Sequence, residues 1–212
     1  TPAGKNTIVI VLADHGDGMG SHRMVTKQVS FYEEMTNVPF IIAGPGIHPR
    51  QKPVEDLLTQ PTIDLLPTLC ELAGIPVPSS KPGISLAPFL KGEKQKRQHP
   101  YAASEWHSEY EVTVSPGRMI RSPRYKYTHY LEGNGEELYD MLKDKGERRN
   151  LAHDPKYSKI LAEHRALLDD YIRRTQDDYR SLKVEADKRW RSHAPGYPNH
   201  EGPCARDIIN RK

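Results

Sequence analysis

An unbroken apolar run, Thr7 to Ala13 (T-I-V-I-V-L-A), stops abruptly in a polar, glycine-rich turn, Asp14-His15-Gly16-Asp17-Gly18-Met19-Gly20, and this restricts the chain more than any other feature. The run is too short for a globular helix, and β-branched residues fill most of it. It lacks the alternation of a half-exposed strand, so it predicts a parallel strand covered on both faces. Val38 to Ala43, closed by Gly44-Pro45-Gly46, reads the same way. The roughly two dozen residues between the runs are too many for a hairpin and leave room for a loop with a short helix.

Pro61 to Gly74 then reads as a helix, with Ile63, Leu66, Cys70 and Ala73 on one face and Gly74 as its stop. Residues 100–141 change character. Tyr101–Glu105, Arg118–Arg121, Arg124–Tyr130 and Glu137–Met141 are short strand candidates separated by turn residues. In the third, Tyr125, Tyr127 and His129 alternate with Lys126, Thr128 and Tyr130, which predicts a sheet with one covered face. A helix follows from about Ser158 to Thr175, with Ile160, His164, Leu167, Leu168, Tyr171 and Thr175 on one stripe. The reading is therefore an α/β sheet region over 1–98, a small α+β subdomain over 99–178 (antiparallel sheet plus helix), and a basic tail over 179–212 that wraps the surface or stays unstructured.

The 31 basic and 28 acidic side chains leave a net charge of +3. That balance, with no basic stripe interleaved by aromatics, argues against nucleic acid as a partner. No apolar run is long enough to span a bilayer. Cys70 sits in an apolar helical pattern and Cys204 in the tail, with no metal-ligand spacing, so Cys70 is expected to be a buried free thiol.

In open α/β sheets, ligands collect beyond the carboxyl ends of the strands, and Asp14 and His15 stand there, directly after the first run. A carboxylate beside an imidazole can bind a divalent cation, and Asp-His-Gly can equally form an ordinary polar turn. The wider context bears on the choice. Asp14-His15-Gly16 through His22, Lys27, Tyr32-Glu33-Glu34, Val38-Pro39-Phe40 and Gly44-Pro45-Gly46 follow one another in order. Thr62-Ile63-Asp64-Leu65-Leu66-Pro67-Thr68-Leu69, Gly83-Ile84-Ser85-Leu86, Arg124-Tyr125-Lys126-Tyr127, Glu137-Leu138-Tyr139-Asp140 and Glu147-Arg148-Arg149-Asn150-Leu151 continue the series. As an ordered set, spanning residues 7 to about 178, it closely resembles the sulfatase family.

That resemblance implies the C-terminal part of an alkaline-phosphatase-like sheet domain, followed by the small α+β subdomain. It implies that Asp14 and His15 are metal ligands, for calcium or, given the imidazole, another divalent cation. Lys27 matches a lysine that touches the sulfate and the leaving-group oxygen, a catalytic and substrate-binding role. His22, in the same loop, either lines the pocket as a further substrate contact or braces the loop. Asp17 reads as a turn residue, and Glu33 and Glu34 read as structural. Trp106 and His107 fall in a region that shapes the substrate entrance in relatives.

The family's nucleophile is a formylglycine made within Cys/Ser-x-Pro-x-Arg, and that pattern occurs nowhere in the 212 residues. Ser80-Lys81-Pro82 begins it but meets Ile84 where Arg is required. The chain is therefore expected to be a piece lacking the N-terminal half, inactive alone, and to self-associate through the unpaired flank of its first strand. The complete protein is expected to hydrolyse sulfate esters of carbohydrates in a periplasmic, secreted or lysosomal setting. The alternatives from the sequence are a phosphoesterase of the wider alkaline phosphatase superfamily and a non-catalytic accessory module.

Overall fold

The computed structural model describes residues 2–24, 30–55, 57–79, 82–95, 99–107, 116–131 and 135–182. Cys204 and most of the basic tail lie outside them. The chain divides into two compact units, Thr1–Thr26 with Glu34–Ala102, and Lys27–Glu33 with Ala103–Lys212. The second unit thus takes in a short segment that the sequence had grouped with the first.

In the first unit, β1 (Val9–Leu12) and β2 (Phe40–Ala43) carry the two apolar runs, with the short helix α1 (Glu33–Thr36) between them in sequence. The strands pair antiparallel, Val9 opposite Ala43 and Leu12 opposite Phe40, which corrects the parallel reading. An unbroken β-branched run reports strand propensity and the demand for cover, and neither fixes the direction of the neighbour. The expected cover is missing as well. Val9, Val11 and Ile41 are 56%, 50% and 57% exposed, and among the described residues no third strand joins the pair.

Helix α2 (Pro61–Leu72) forms where predicted, with proline at its first position, but its buried face is Asp64, Pro67 and Thr68. The expected face is turned outward: Leu66 is exposed, and Cys70 is free but only half-buried. Polar bonding decides the rotation. The fully buried Asp64 carboxylate accepts the amides of Gln60 at 2.7 Å and Ile84 at 2.8 Å, and lies 2.7 Å from His99 Nε2. Thr68 Oγ1 donates to the Asp64 carbonyl and accepts the Leu86 amide, which ties α2 to the start of α3 (Ala87–Leu90).

The second unit is built on an antiparallel sheet in sequence order: β3 (Ala102–Trp106), β4 (Gly117–Arg121), β5 (Tyr125–Tyr130) and β6 (Gly135–Asp140). Ile120 opposes Tyr127 and Tyr127 opposes Leu138. Helix α4 (Ser158–Thr175) packs on β4 and β5 through Leu161, His164 and Leu168; His164 and Leu168 lie on the predicted stripe, while Leu161 takes the place expected of Ile160. Fully burying a side chain such as Leu168 contributes about 2 kcal/mol. Asp154 accepts the Lys156 amide and caps the turn leading into α4. At the other end, Gln176 in the left-handed region returns its amide to the Ile172 carbonyl.

Two expectations change here. Strand β5 is covered on both faces, with Lys126, Tyr127, Thr128 and His129 all buried, so Lys126 does not face water. Tyr179, placed in the tail by composition, is fully buried, and its hydroxyl donates to the His129 carbonyl at 2.9 Å. Arg118 locks the same corner: its guanidinium grips Asp177 with two bonds of 2.6 and 2.9 Å and lies over the Tyr179 ring. Among the described residues no helix is long and apolar enough to cross a membrane.

Candidate functional site

Strand β1 delivers the backbone into the Asp14–Gly20 turn, and the glycines let that turn close on the chain beside it. The Gly16 amide donates to the Met35 carbonyl at 2.9 Å, and a Cβ on Gly16 would lie 1.8 Å from the Glu34 carbonyl oxygen. A Cβ on Gly18 would meet the Met24 side chain at 2.3 Å. Only glycine fits at either place. Asp17 accepts the Met19 amide at 3.2 Å, as a turn residue does. The loop then coils tightly, with Ser21 bonded to Gly18, Gly20 to Met24 and Met24 to Ser21, around a buried Met24.

Met19, His22 and Arg23 all have positive φ, 46°, 49° and 62°. Non-glycine residues in the left-handed region cost on the order of 1 kcal/mol each, and such strain gathers at functional loops.

At the head of this loop, Asp14 and His15 form a unit. The His15 amide donates to Asp14 Oδ1 at 3.0 Å, and His15 Nδ1 lies 2.7 Å from the Gly16 carbonyl. A carbonyl can only accept, so Nδ1 carries the proton and Nε2 presents its lone pair. That Nε2 is 3.6 Å from Asp14 Oδ2, and both side chains are well exposed. Adjacent ligands of one cation, each about 2.4 Å away and at a right angle, stand about 3.4 Å apart. The pair therefore fits as two ligands of a divalent cation, one hard oxygen and one softer nitrogen, and supplies only part of a coordination sphere.

His22 Nε2 lies 3.8 Å from Glu34 Oε2, with the imidazole largely covered. Lys27 lies outside the described residues. Trp106 ends β3 and His107 follows it, and the Trp106 carbonyl accepts from Arg118 at 2.8 Å.

In the second unit, the sequence missed a buried charge cluster. Lys126 Nζ stands 3.0 Å from Glu33 Oε1 and 2.9 Å from Glu147 Oε1, with Lys126 and Glu147 both almost fully buried. Glu147 also accepts the Glu33 amide at 2.6 Å, and Arg121 is 3.9 Å from Glu33. Burial pushes the Glu147 carboxyl up, against the pull of Lys126. Nearby, burial and the charge of Glu147 push Glu137 up to about 7. Three of the motifs that carried the family resemblance meet in this cluster. The signal was their joint presence, but alternation along β5 assigned Lys126 to water.

Residues 20–174 match the family model described as N-sulphoglucosamine sulphohydrolase, C-terminal. Over all 212 residues the chain is 76% identical to a Delta 4,5-hexuronate-2-O-sulfatase of Bacteroides thetaiotaomicron, covering 44% of that protein. A solved structure described as a 2-O GAG sulfatase superposes with a TM-score of 0.88 at 77% identity, over 98% of this chain and 45% of that one. A more distant neighbour, solved in complex with D-glucosamine-2-N,6-O-disulfate, gives a TM-score of 0.72 at 26% identity, over 84% of this chain and 37% of that one. The chain thus spans less than half the length of these relatives.

Proposed function

This chain belongs to the sulfatase family, and on that premise we propose that the whole protein hydrolyses a sulfate ester at the 2-position of a hexuronate in a glycosaminoglycan-type carbohydrate. The observation that carries the reading is the 76% identity, sustained over the full chain, to a hexuronate 2-O-sulfatase. Asp14 and His15 are two of the metal ligands in this reading, and His22 is a contact in the same loop. When bound, the divalent cation supplies Lewis-acid polarisation of the sulfate oxygens. The paired geometry of Asp14 Oδ2 and His15 Nε2 supports this placement.

Lys27 has the charge-stabilising part. Its ammonium offsets the negative charge that grows on the bridging oxygen as the S–O bond breaks, which stabilises the transition state more than the ground state. The formylglycine nucleophile comes from the remainder of the whole protein, since no residue here fits its motif. The setting that goes with a carbohydrate substrate of this kind is periplasmic, secreted or lysosomal.

The test is sulfate release by the whole protein from unsaturated disaccharides that carry a single sulfate. Release from the 2-O-sulfated uronate, with little from a 6-O-sulfated hexosamine, is expected. Turnover of phosphonate or phosphate esters with none of any sulfate ester would overturn the reading.

A further inference from the structure

We propose that the groove between the 48–55 loop and the end of α3 is a binding surface for a sulfated glycosaminoglycan chain, with Arg50 as the residue that meets a sulfate group. The proposal rests on the reading of the substrate as a carbohydrate of that kind. Its structural basis lies within the first unit alone.

The groove is open, has a volume of about 630 Å³ and is lined by the run Pro49 to Glu55 together with Phe89. Ligand-binding clefts commonly measure about 300–1,000 Å³. The loop is fastened to α3 at two points. The His48 amide donates to the Leu90 carbonyl at 2.6 Å, and Arg50 Nη2 donates to the Phe89 carbonyl at 3.0 Å. The His48 ring also closes on Gly92, where a Cβ would lie 3.2 Å from the ring Cγ. Prolines at 49 and 53 bracket the exposed residues between them and restrict the backbone there.

Arg50 separates this surface from scattered surface charge. An exposed arginine ordinarily samples many rotamers and loses that freedom when it binds. Here the guanidinium lies over the Phe89 ring, 4.2 Å from its centre, and is tied to the Phe89 carbonyl. Its plane is therefore set before any ligand arrives. That bond uses one nitrogen. The other N–H groups have no partner among the described residues and can donate to two oxygens of one sulfate, a fork that a lysine ammonium does not offer.

The local charge favours an anion as well. Across the loop and the turn that follows α3, the exposed charged residues are Arg50, Lys52, Lys91 and Lys94 against Glu55 and Glu93. Four minus two leaves an excess of two positive charges on two short segments of a chain whose net charge is +3. Sulfate esters stay ionised throughout the physiological pH range, and a chain that carries them repeatedly can meet the arginine and the flanking lysines together.

The experiment uses the whole protein and two ligands. Affinity is measured by calorimetry on a size-defined heparin oligosaccharide that ends in a glucosamine, so that the reacting hexuronate end is absent. Turnover is measured on the 2-O-sulfated unsaturated disaccharide. Arg50→Ala/Lys52→Ala is expected to bind the oligosaccharide about tenfold more weakly or worse, with a shallower salt dependence, while kcat/KM on the disaccharide stays within about twofold. Arg50→Lys, which keeps the charge and loses the fork, should lose most of that affinity. Lys156→Ala/Lys159→Ala removes the same charge from exposed positions of the second unit and should leave the affinity nearly unchanged. No binding by wild type, or wild-type affinity in either Arg50 variant, would overturn the proposal. An equal loss in the Lys156/Lys159 variant overturns it too, since a diffuse field would then account for the attraction. So does a parallel fall in disaccharide turnover, which would make the groove part of the reacting site. The functional reading fails on a different result, a wild type that turns over no sulfate ester.

Discussion

The amide of Gly16 donates to the carbonyl of Met35 at 2.9 Å, and this bond pins the turn that presents Asp14 and His15. The approach is so close that any side chain at residue 16 meets backbone, 1.8 Å from the Glu34 carbonyl oxygen, and backbone cannot swing aside as a side-chain tip can.

Gly16→Ala is accordingly expected to destabilise the first unit by about 1–3 kcal/mol through overpacking, and to weaken metal binding by the whole protein. A Gly20→Ala control separates steric from conformational cost. Gly20 has nothing within 4 Å of its virtual Cβ but a φ of 96°, so its penalty comes from backbone strain alone. Thermal unfolding of both variants checks the order, with the residue-16 change the worse.

Asp14→Ala in the whole protein should lower kcat on the sulfate ester by roughly 10²-fold or more, and Lys27→Ala should do likewise, as expected for loss of one preorganised stabilising group. The two differ in a second measurement. Calcium affinity should fall in the Asp14 variant and hold in the Lys27 variant. Near-normal turnover of Lys27→Ala at saturating substrate would return that residue to an ordinary surface lysine.

The sequence showed some of this more clearly than the rest, for physical reasons. Helix α4 was readable because its period is long and unbroken. The four strands of the second unit were readable from alternation and turns. The direction of the β1–β2 pairing was not, since apolar content is blind to neighbour direction. Nor was the inner face of α2, because Asp64 turns inward for its hydrogen bonds while Leu66 and Leu69 stay outside. Lys126 misled for the same reason: a hydrophobicity pattern has no way to register a buried cation whose carboxylate partners lie 93 and 21 positions away in the chain. At the candidate site, the adjacency of Asp14 and His15 is plain in the sequence. The tautomer that frees His15 Nε2 depends on a carbonyl contact and emerges only from the coordinates.

Asp64 offers a stability test away from the chemistry. Its carboxylate satisfies two backbone amides and the His99 ring from a fully buried position. Asp64→Ala strands all three donors and is expected to cost about 3–5 kcal/mol, while Asp64→Asn, which keeps one acceptor oxygen, should cost less. Urea denaturation of the whole protein, followed by a probe in the first unit, checks the ranking. Equal losses for the two variants would mean that volume counts for little and that both acceptor oxygens of the carboxylate are needed.

Glu137 sets the direction of the pH dependence. Burial and the neighbouring Glu147 charge push its carboxyl from an ordinary 4.5 up to about 7 in the folded chain. The folded state therefore binds its proton at a higher pH than the unfolded state does. Between pH 7 and about 4.5 the native form holds more protons, so stability rises as the pH falls through that window and is lower, and level, above it. The full span corresponds to on the order of 1–3 kcal/mol. Glu147, also raised by burial, acts in the same direction. Below about pH 4 the trend reverses, because Arg124 holds Asp140 and Arg118 holds Asp177 below the usual carboxylate range, and protonating them loses those pairs. The whole protein should thus melt at a higher temperature at pH 5.5 than at pH 8, and Glu137→Gln should raise the value at pH 8 and flatten the difference. A variant that keeps the wild-type slope between these two pH values would show that another group carries it.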